Sequence, residues 1–555
     1  MIENEKPKRK RKVELRVVEA GPPPPPPSGG GVGGAGDGLG GLPGDRPVVQ
    51  IVNGKRSQAI DAAETHLIAR DLGLFRRDLM VVRVAPEDID IGEGRTAKAL
   101  RIHQVAAQHM RERFTRAVDL QRFDKRADAW LSCDCPVDFA EAYLDRSGLW
   151  RLRQLRAVIT APTLRPDGTI IERPGYDPAT GIFYDARGVE FPRVPSAPTR
   201  ADALAALDYL KSTLLPTFDF VDGPSRSVAL SGIFTTLLRR TMSAAPLHGF
   251  SAPVAGSGKS KLVNLAAIIA TGHVAAVLAL GEKFDEGEKR LGAALISGDA
   301  VISIDNVDRP LGGEFLCQLL TEPLVAPRVL GKPLNIKVAN VYSVFATSNN
   351  LKVFGDMIRR SLIGRLDPHC ERPELREFTT PDPCLIALRE RPRLVLAVLT
   401  VMRAFFLAGC PNDHPPLGSF AEWSRWVRDP LIWLGDADPM ATIAQARAMD
   451  PRLSALGAVL QQWCQVIGET PISARELIER ADAVGRIDPN TNAVGLLYPA
   501  LREALLMVGT DRTGKLNSRK LGSWLGSVAD RTVGELKVTS GGIHDGIALW
   551  KVCAG

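Results

Sequence analysis

Apolar residues recur along this chain with two different periods, and the switches between them mark its elements. Apolar runs of strand length occur at VVQIV (48–52), LMVVRV (79–84), AVISI (300–304) and VYSVFA (341–346). The last two are apolar without alternation, as in strands buried on both faces. Helical periodicity covers AIDAAETHLIARDLG (59–73), KALRIHQVAAQHMRERF (98–114), ADALAALDYLKSTLL (201–215) and VALSGIFTTLLRRTM (228–242). Strands interleaved with helices predict an α/β chain. Near the end, ISARELIERA, ALREALLMVG and NSRKLGSWLGSVA read as three helices, followed by two strands around Ser540-Gly541-Gly542. Helices closed by a hairpin suggest a winged-helix-like domain, with Arg519 and Lys520 on or beside a DNA-reading helix. Such domains also serve purely in protein interaction, and both uses stay open. Trp423, Trp426 and Trp433 are spaced to pack one helix into a core rather than to stack on bases.

Composition changes this picture mainly at the front. Residues 21–44 hold six consecutive prolines and then a glycine-rich stretch, which buries too little apolar surface to offset its ordering entropy. A disordered linker is therefore expected, tying a basic tail to a body that starts near Arg46. Of the net charge of +7, four units come from residues 1–12, where six lysines and arginines face Glu3 and Glu5. The body is close to neutral, so a specific nucleic-acid site on it must be a local patch. The tail itself fits sequence-blind attraction to phosphates or plain solvation. No apolar run approaches the roughly 20 residues that span a bilayer, and no secretory signal follows MIENEKPKRKRK. No membrane role and a cytoplasmic setting are expected. The eight cysteines, with only Cys133 and Cys135 close together, lack zinc spacing and read as reduced. The expected domains are a tail and linker (1–45), an α/β accessory domain (46–198), an α/β core domain (199–410), a helical connector (411–470) and the winged-helix-like domain (471–555).

The chemistry concentrates after residue 250. Ser251-Ala252-Pro253-Val254-Ala255-Gly256-Ser257-Gly258-Lys259-Ser260 precedes the apolar helix KLVNLAAIIATG, which matches the phosphate-cradling pattern G-x-x-x-x-G-K-[ST] apart from Pro253 in the first glycine position. Ala255, Gly256, Ser257 and Gly258 would offer backbone amides, Lys259 would reach the β and γ phosphates, and Ser260 would ligate magnesium. ATP and Mg²⁺ are the cofactors this predicts. Asp305 closes the apolar run at 300–304 and would hold that magnesium through water, or else simply cap the strand end. An acid commonly follows it to polarise water, but this chain has Asn306, leaving Asp308, Glu286 or Glu288 as substitutes. Asn349, ending the run at 341–350, fits a γ-phosphate contact or a simple turn. Arg359 and Arg360, with Arg365 behind them, suit an arginine finger given to a neighbour's ATP, Arg360 first. They equally suit a basic face paired with Asp356, Glu371 and Glu374. Arg328 is a further phosphate or subunit contact candidate.

These four elements, in this order, resemble the AAA+ group, and most closely the superfamily-three-like helicases of phages and mobile elements. Similarity to prophage primase-helicase ATPases extends through LRQLRAVITAPTLRPDGTIIERPGYDPATGIFYD (152–185), ATSNNLKVFGDMIRRSLIGRLDPHCERPELREF (346–378) and LGSFAEWSRWVRDPLIWLGDADP (417–439). The likeness covers roughly 46–555. It implies Lys259 and Ser260 as phosphate and metal residues, Asp305 as the second metal residue, Asn349 as the sensor and Arg360 as the finger. The fold class expected is α/β with a P-loop, AAA+-like core. The chain itself has no primase signature, so a primase would be a separate partner.

The expected function is an ATP-hydrolysing DNA helicase or replication ATPase of a phage or mobile element. It would act as a homo-oligomeric ring, a hexamer by expectation, on single-stranded or forked DNA. Asn306 favours an alternative, a non-hydrolysing ATP switch that loads or scaffolds replication proteins. A P-loop kinase is a third reading, disfavoured by the distance to Asp305 and by the sensor-like asparagine.

Overall fold

The computed structural model describes residues 46–90, 96–278, 284–307, 309–326, 337–376, 381–412, 414–448, 450–487, 494–511 and 513–555. The tail and linker, Asp308 and Arg328, and the side chains of Glu286 and Glu288, lie outside the described residues.

Five strands form the central sheet: β1 (Leu247–Ala252), β2 (Ala276–Leu278), β3 (Val301–Ile304), β4 (Ser343–Asn349) and β5 (Ser361–Arg365). Every pairing is parallel and the order is β2-β3-β4-β1-β5. Parallel strands need crossovers that cover their faces, which is why β1, β3 and nearly all of β4 are buried along their length. The crossovers include α1 (Lys259–Thr271) after β1, α2 (Phe284–Ser297) before β3 and α3 (Glu314–Thr321) after it. A preceding helix, Gly223–Leu238, is buried on almost every side and packs on β1, β5 and α1. Its apolar residues run all round, as a fully enclosed helix requires. Asp222 caps it by accepting the Ser225 N–H at 2.8 Å. The long helix α4 (Pro383–Leu407) crosses α1 and packs along Arg200–Leu214.

The register decides where the chemistry sits. Ala252 pairs with Asn349, Ser251 with Arg365, and Ile304 with Ala346. The carboxyl ends of β1, β3, β4 and β5 therefore share one edge, where ligands of open parallel sheets bind.

The hydrophobic cores divide differently from the expected domain boundaries. Residues between Val49 and Leu152, including Ile60, Met110, Phe114, Phe139 and Tyr143, form one cluster. The segment from Leu155 to Tyr184, together with Phe75, Met80, Val82 and Ile102, belongs instead to the main core around the sheet. Polar contacts reinforce this seam. Buried Arg77 donates to the Ile296 and Leu295 carbonyls at the end of α2 and to the Tyr342 hydroxyl at 2.8 Å, and Arg101 pairs with Asp299. Arg239, fully buried, is held by the carbonyls of Tyr342 (2.9 Å) and Met242 (2.7 Å) and by Asn340 Oδ1 (2.9 Å). Trp423 and Trp426 are buried in the same core, with Trp433 packed on it.

Two sequence expectations need correction. The stretch 98–114 is not one helix: Thr96–Gln104 is a strand, and a helix begins only at Ala107. The strand pairs antiparallel with Val82–Asp90 through nine consecutive positions, and this tertiary pairing with Leu100 and Ile102 on the core overrides the local helical pattern. At the C-terminus the turn lies at Asp545-Gly546, not Ser540–Gly542. Strands Leu536–His544 and Ile547–Ala554 flank it, and the Ser540/Gly542 position is a register shift. Asp545 (φ 49°) and Gly546 (φ 76°) both take the left-handed conformation that a tight hairpin turn demands. Helices Ala474–Ala481, Pro499–Leu506 and Ser518–Val528 precede this hairpin, with Arg519 and Lys520 exposed in the first turn of the last. Leu456–Trp463, expected in the connector, shares their core.

Candidate nucleotide site

The turn Pro253–Gly258 leaves β1 at the carboxyl edge and feeds directly into α1. Gly258 lies at φ +88° against the Phe218 ring. A Cβ there would stand 2.9 Å from that ring, so neither the backbone conformation nor the space admits a side chain. The loop thus brings backbone N–H groups to the N-terminus of a thirteen-residue helix, a ready anion site.

Lys259 sits over the loop. Its ammonium bonds to the Val254 carbonyl (3.0 Å), Ser257 Oγ (3.0 Å) and Asn349 Oδ1 (2.9 Å). Burial pulls its pKa below the ordinary lysine value, and the Asp305 carboxylate works against that shift. Asp305 extends β3 by one residue and lies 3.5 Å from Ser260 Oγ. Its Oδ1 also accepts from Thr347 Oγ1 and from the Asn306 amide at 2.9 Å. The ends of β1 and β4 are stitched together by Asn350 N–H on the Ala252 carbonyl (3.0 Å) and Leu351 N–H on Ser251 Oγ (2.9 Å). Lys259, Ser260, Asp305 and Asn349 are therefore gathered at one point from strands up to about ninety residues apart, as the Lys259–Asn349 contact measures.

A hydroxyl and a carboxylate at this spacing suit a hard divalent cation that completes its shell with water and phosphate. Among the described residues no group of three His, Cys, Asp or Glu side chains is placed to hold a metal. Ser260 and Asp305 are the residues of this site that could hold magnesium.

Several residues at the site carried no signal in the sequence. Thr347 fixes the Asp305 carboxylate. Beside the loop lies a cavity of about 200 Å³ lined by Phe218, Gly258, Pro368, Pro373 and Pro383, with the Asp219–Arg376 and Lys261–Asp382 ion pairs at its wall. Apolar walls with a few polar groups next to a phosphate cradle suit the base and sugar of a nucleotide. A smaller cavity of about 40 Å³, lined by Arg101, Thr160, Arg240 and His273, lies beside Ala300 at the opposite edge of the sheet and is too small for one.

Asn306 takes φ +53°, a left-handed conformation that asparagine tolerates better than most residues, and its side chain is exposed. Another carboxylate does approach the loop. A methyl built on Gly256 would stand 3.2 Å from Glu374 Oε2. A negative group there opposes an arriving phosphate. Glu374→Gln is expected to tighten ATP binding about fivefold, the worth of one charge pair near 4 Å in water. Titration with a fluorescent ATP analogue measures this, and an unchanged or weaker affinity would remove Glu374 from the phosphate's surroundings.

The arginines divide by place. Arg359 and Arg360 precede the amino end of β5, while Arg365 ends it opposite Ser251. About five strand residues, roughly 16 Å, separate Arg360 from the loop edge. Arg360 is not brought to the loop of its own chain. Both arginines pair with Asp356, at 3.1 Å and 2.9 Å, and the Arg359 side chain is 54% exposed against 12% for Arg360.

No family model and no curated protein matches this chain. Solved structures do align with it, among them the SCCmec type IV Cch helicase, at 11% identity over 87% of this chain and 97% of that one, with a TM-score of 0.33. The apo C-terminal region of NrS-1 aligns at 11% identity over 89% and 98%, with a TM-score of 0.34. JCV helicase in complex with a small molecule aligns at 15% identity over 46% and 74%, with a TM-score of 0.20. Superposition this loose carries no weight for fold or activity, and the reading below rests on the site. Among the described residues no helix is long and apolar enough to cross a membrane.

Proposed function

We propose that this chain is an ATP-hydrolysing motor of the helicase or replication-ATPase class, acting on nucleic acid. The observation that carries the proposal is the meeting of Lys259, Ser260, Asp305 and Asn349 at the carboxyl edge of a parallel sheet. Lys259 would exchange its three present acceptors for the β and γ phosphate oxygens and neutralise the charge that develops there. Ser260 and Asp305 would hold magnesium, which would supply positive charge to offset that of the phosphates. Asn349, released from Lys259, would report the γ-phosphate through β4. The finer reading is a ring, hexameric by expectation, belonging to a phage or mobile element, with any primase on a separate chain. In such a ring the amino edge of β5 would face a neighbour's nucleotide. The more exposed Arg359 would then serve as the finger, with Arg360 and Asp356 as its anchor.

Asn306 supports a second reading, a non-hydrolysing ATP switch that loads or scaffolds other proteins. Phosphate release by the purified chain, with and without single-stranded DNA, separates the two. The motor predicts turnover that DNA stimulates and nucleotide-dependent assembly on a sizing column. Saturable ATP binding with no phosphate released under either condition would reject the motor and leave the switch.

A further inference from the structure

The ATP chemistry makes no use of a pair of aromatic rings that the accessory domain shows to solvent. Strand Val48–Gln50 pairs parallel with Asp119–Asp124, which forms a hairpin with Ala129–Ser132, so Asp119–Asp124 lies at the centre of a three-stranded sheet. Side chains alternate across such a sheet, and the burial of Val49 and Leu120 in the domain core marks its inward face. Phe123 and Trp130, directly opposite each other in register, therefore lie on the outward face with Gln50, Gln121 and Ser132. The two rings meet edge to face, with centroids 5.6 Å apart and planes at 67°. That contact covers little of them, and Phe123 stays 46% exposed.

The groups beside the rings are polar. Lys125 and Arg126, in the turn of the hairpin, are exposed, and neither has a side-chain partner among the described residues. The Asp124 carboxylate is engaged by the Arg126 and Ala127 N–H groups at 2.7 and 3.0 Å. Asp128 is exposed in the same turn, so the turn is neutral as a whole and offers a phosphate two uncommitted donors rather than a field. Asp119, four residues along the strand from Phe123, accepts from Gln121 (3.0 Å) and Ser132 (2.9 Å). A strand lying on this face would thus keep its phosphates toward the turn and away from Asp119.

This combination suits unpaired bases. Every base has a face that can stack on a ring, and amide and hydroxyl side chains can meet its edges. A protein partner calls instead for contiguous apolar surface at the centre of its contact. Here the rings are bordered by Gln121 and Ser132, and the aliphatic Val48 stands apart from them, opposite Asp119. We propose that Phe123 and Trp130 form a stacking platform for single-stranded nucleic acid, with Lys125 and Arg126 meeting its backbone at one edge. The platform rests on the motor reading only in taking nucleic acid as the partner, and bases carry the contact more than charge does.

The test is fluorescence anisotropy of a labelled oligothymidine with the full chain, without nucleotide, beside an abasic oligomer of equal length and charge. The abasic form is expected to bind on the order of tenfold more weakly or worse. Phe123→Leu, which stays apolar but loses the ring, should weaken oligothymidine binding on the order of tenfold, while Phe123→Tyr stays within about twofold of wild type. Trp130→Leu, on the other strand, should repeat the Phe123→Leu loss and guards against a folding fault in either variant. Lys125→Gln with Arg126→Gln should make the log–log salt slope shallower by about 1.4, two contacts at 0.7 each. Photo-crosslinking of an oligomer carrying 5-iodouracil, mapped by mass spectrometry, should mark the hairpin 119–132. An abasic oligomer that binds as well as oligothymidine, equal affinities of Phe123→Leu and Phe123→Tyr, crosslinks confined to other segments, or no binding by the wild-type chain would overturn the platform. An unchanged salt slope would overturn its backbone edge. A changed oligomeric state of Phe123→Leu with oligothymidine binding intact would also overturn it, and would make the face a protein contact. Ring-dependent oligothymidine binding without ATP turnover would instead sink the motor and leave the platform.

Discussion

Lys259→Ala is expected to abolish measurable ATP turnover and to weaken nucleotide binding on the order of a hundredfold, about 3 kcal/mol for a charge-assisted contact to phosphate. The ammonium is already held by three oxygens, of Val254, Ser257 and Asn349. Little ordering is left for it to undergo when phosphate arrives. Removing it takes away a positive charge at the point where the loop amides and the α1 N-terminus converge. Stability should change little, because the three oxygens left behind belong to part-exposed or exposed residues of the loop and the β4 end, where water can reach them. Lys259→Arg makes a stricter companion, since a planar fork cannot replace a compact ammonium in a loop this close. Titration with a fluorescent ATP analogue in magnesium, alongside phosphate release, measures both effects. Saturable uptake of unchanged affinity in Lys259→Ala would show that the loop does not hold a triphosphate, and every later step would fall with it.

Much of this site can be read along the chain because its parts are local. The loop is contiguous, and β3 and β4 announce themselves as apolar runs ending in Asp305 and Asn349. Their convergence is less legible, since it depends on a sheet order that sets β4 between β1 and β3. The cavity walls were out of reach. Asp219 and Arg376 lie 157 residues apart, and nothing in either neighbourhood marks it as a partner of the other. Thr347 looked like one more polar residue at a strand end, yet it holds the Asp305 carboxylate. The error at 98–114 has the same origin. The segment has helical spacing, but pairing with Val82–Asp90 decides its first half. In the C-terminal hairpin the cue is present in the sequence. Asp545-Gly546 is the stronger turn pair, whereas Gly541 lies against Pro471 and Leu549, where a Cβ would stand 2.8 Å from Pro471.

Asp305→Ala is expected to separate binding from chemistry. ATP affinity should stay within severalfold of wild type, because the loop amides and Lys259 remain, while turnover falls on the order of a hundredfold or more. The carboxylate is the acceptor for Thr347 Oγ1 and the Asn306 amide, and it faces Ser260 Oγ at 3.5 Å. Those two donors fix its Oδ1, the oxygen nearest Ser260, from the protein side. Without it Ser260 stands alone, and one neutral hydroxyl holds magnesium poorly. The signature is therefore in the magnesium dependence: the concentration for half-maximal turnover should rise at least tenfold, beside a lowered maximum. Asp305→Asn keeps the shape and the Thr347 bond but not the charge, and is expected to behave like the alanine variant. If phosphate release by both variants kept its rate and magnesium midpoint, the metal would have to be held elsewhere. The carboxylate would then be no more than a cap that ties the end of β3 to β4.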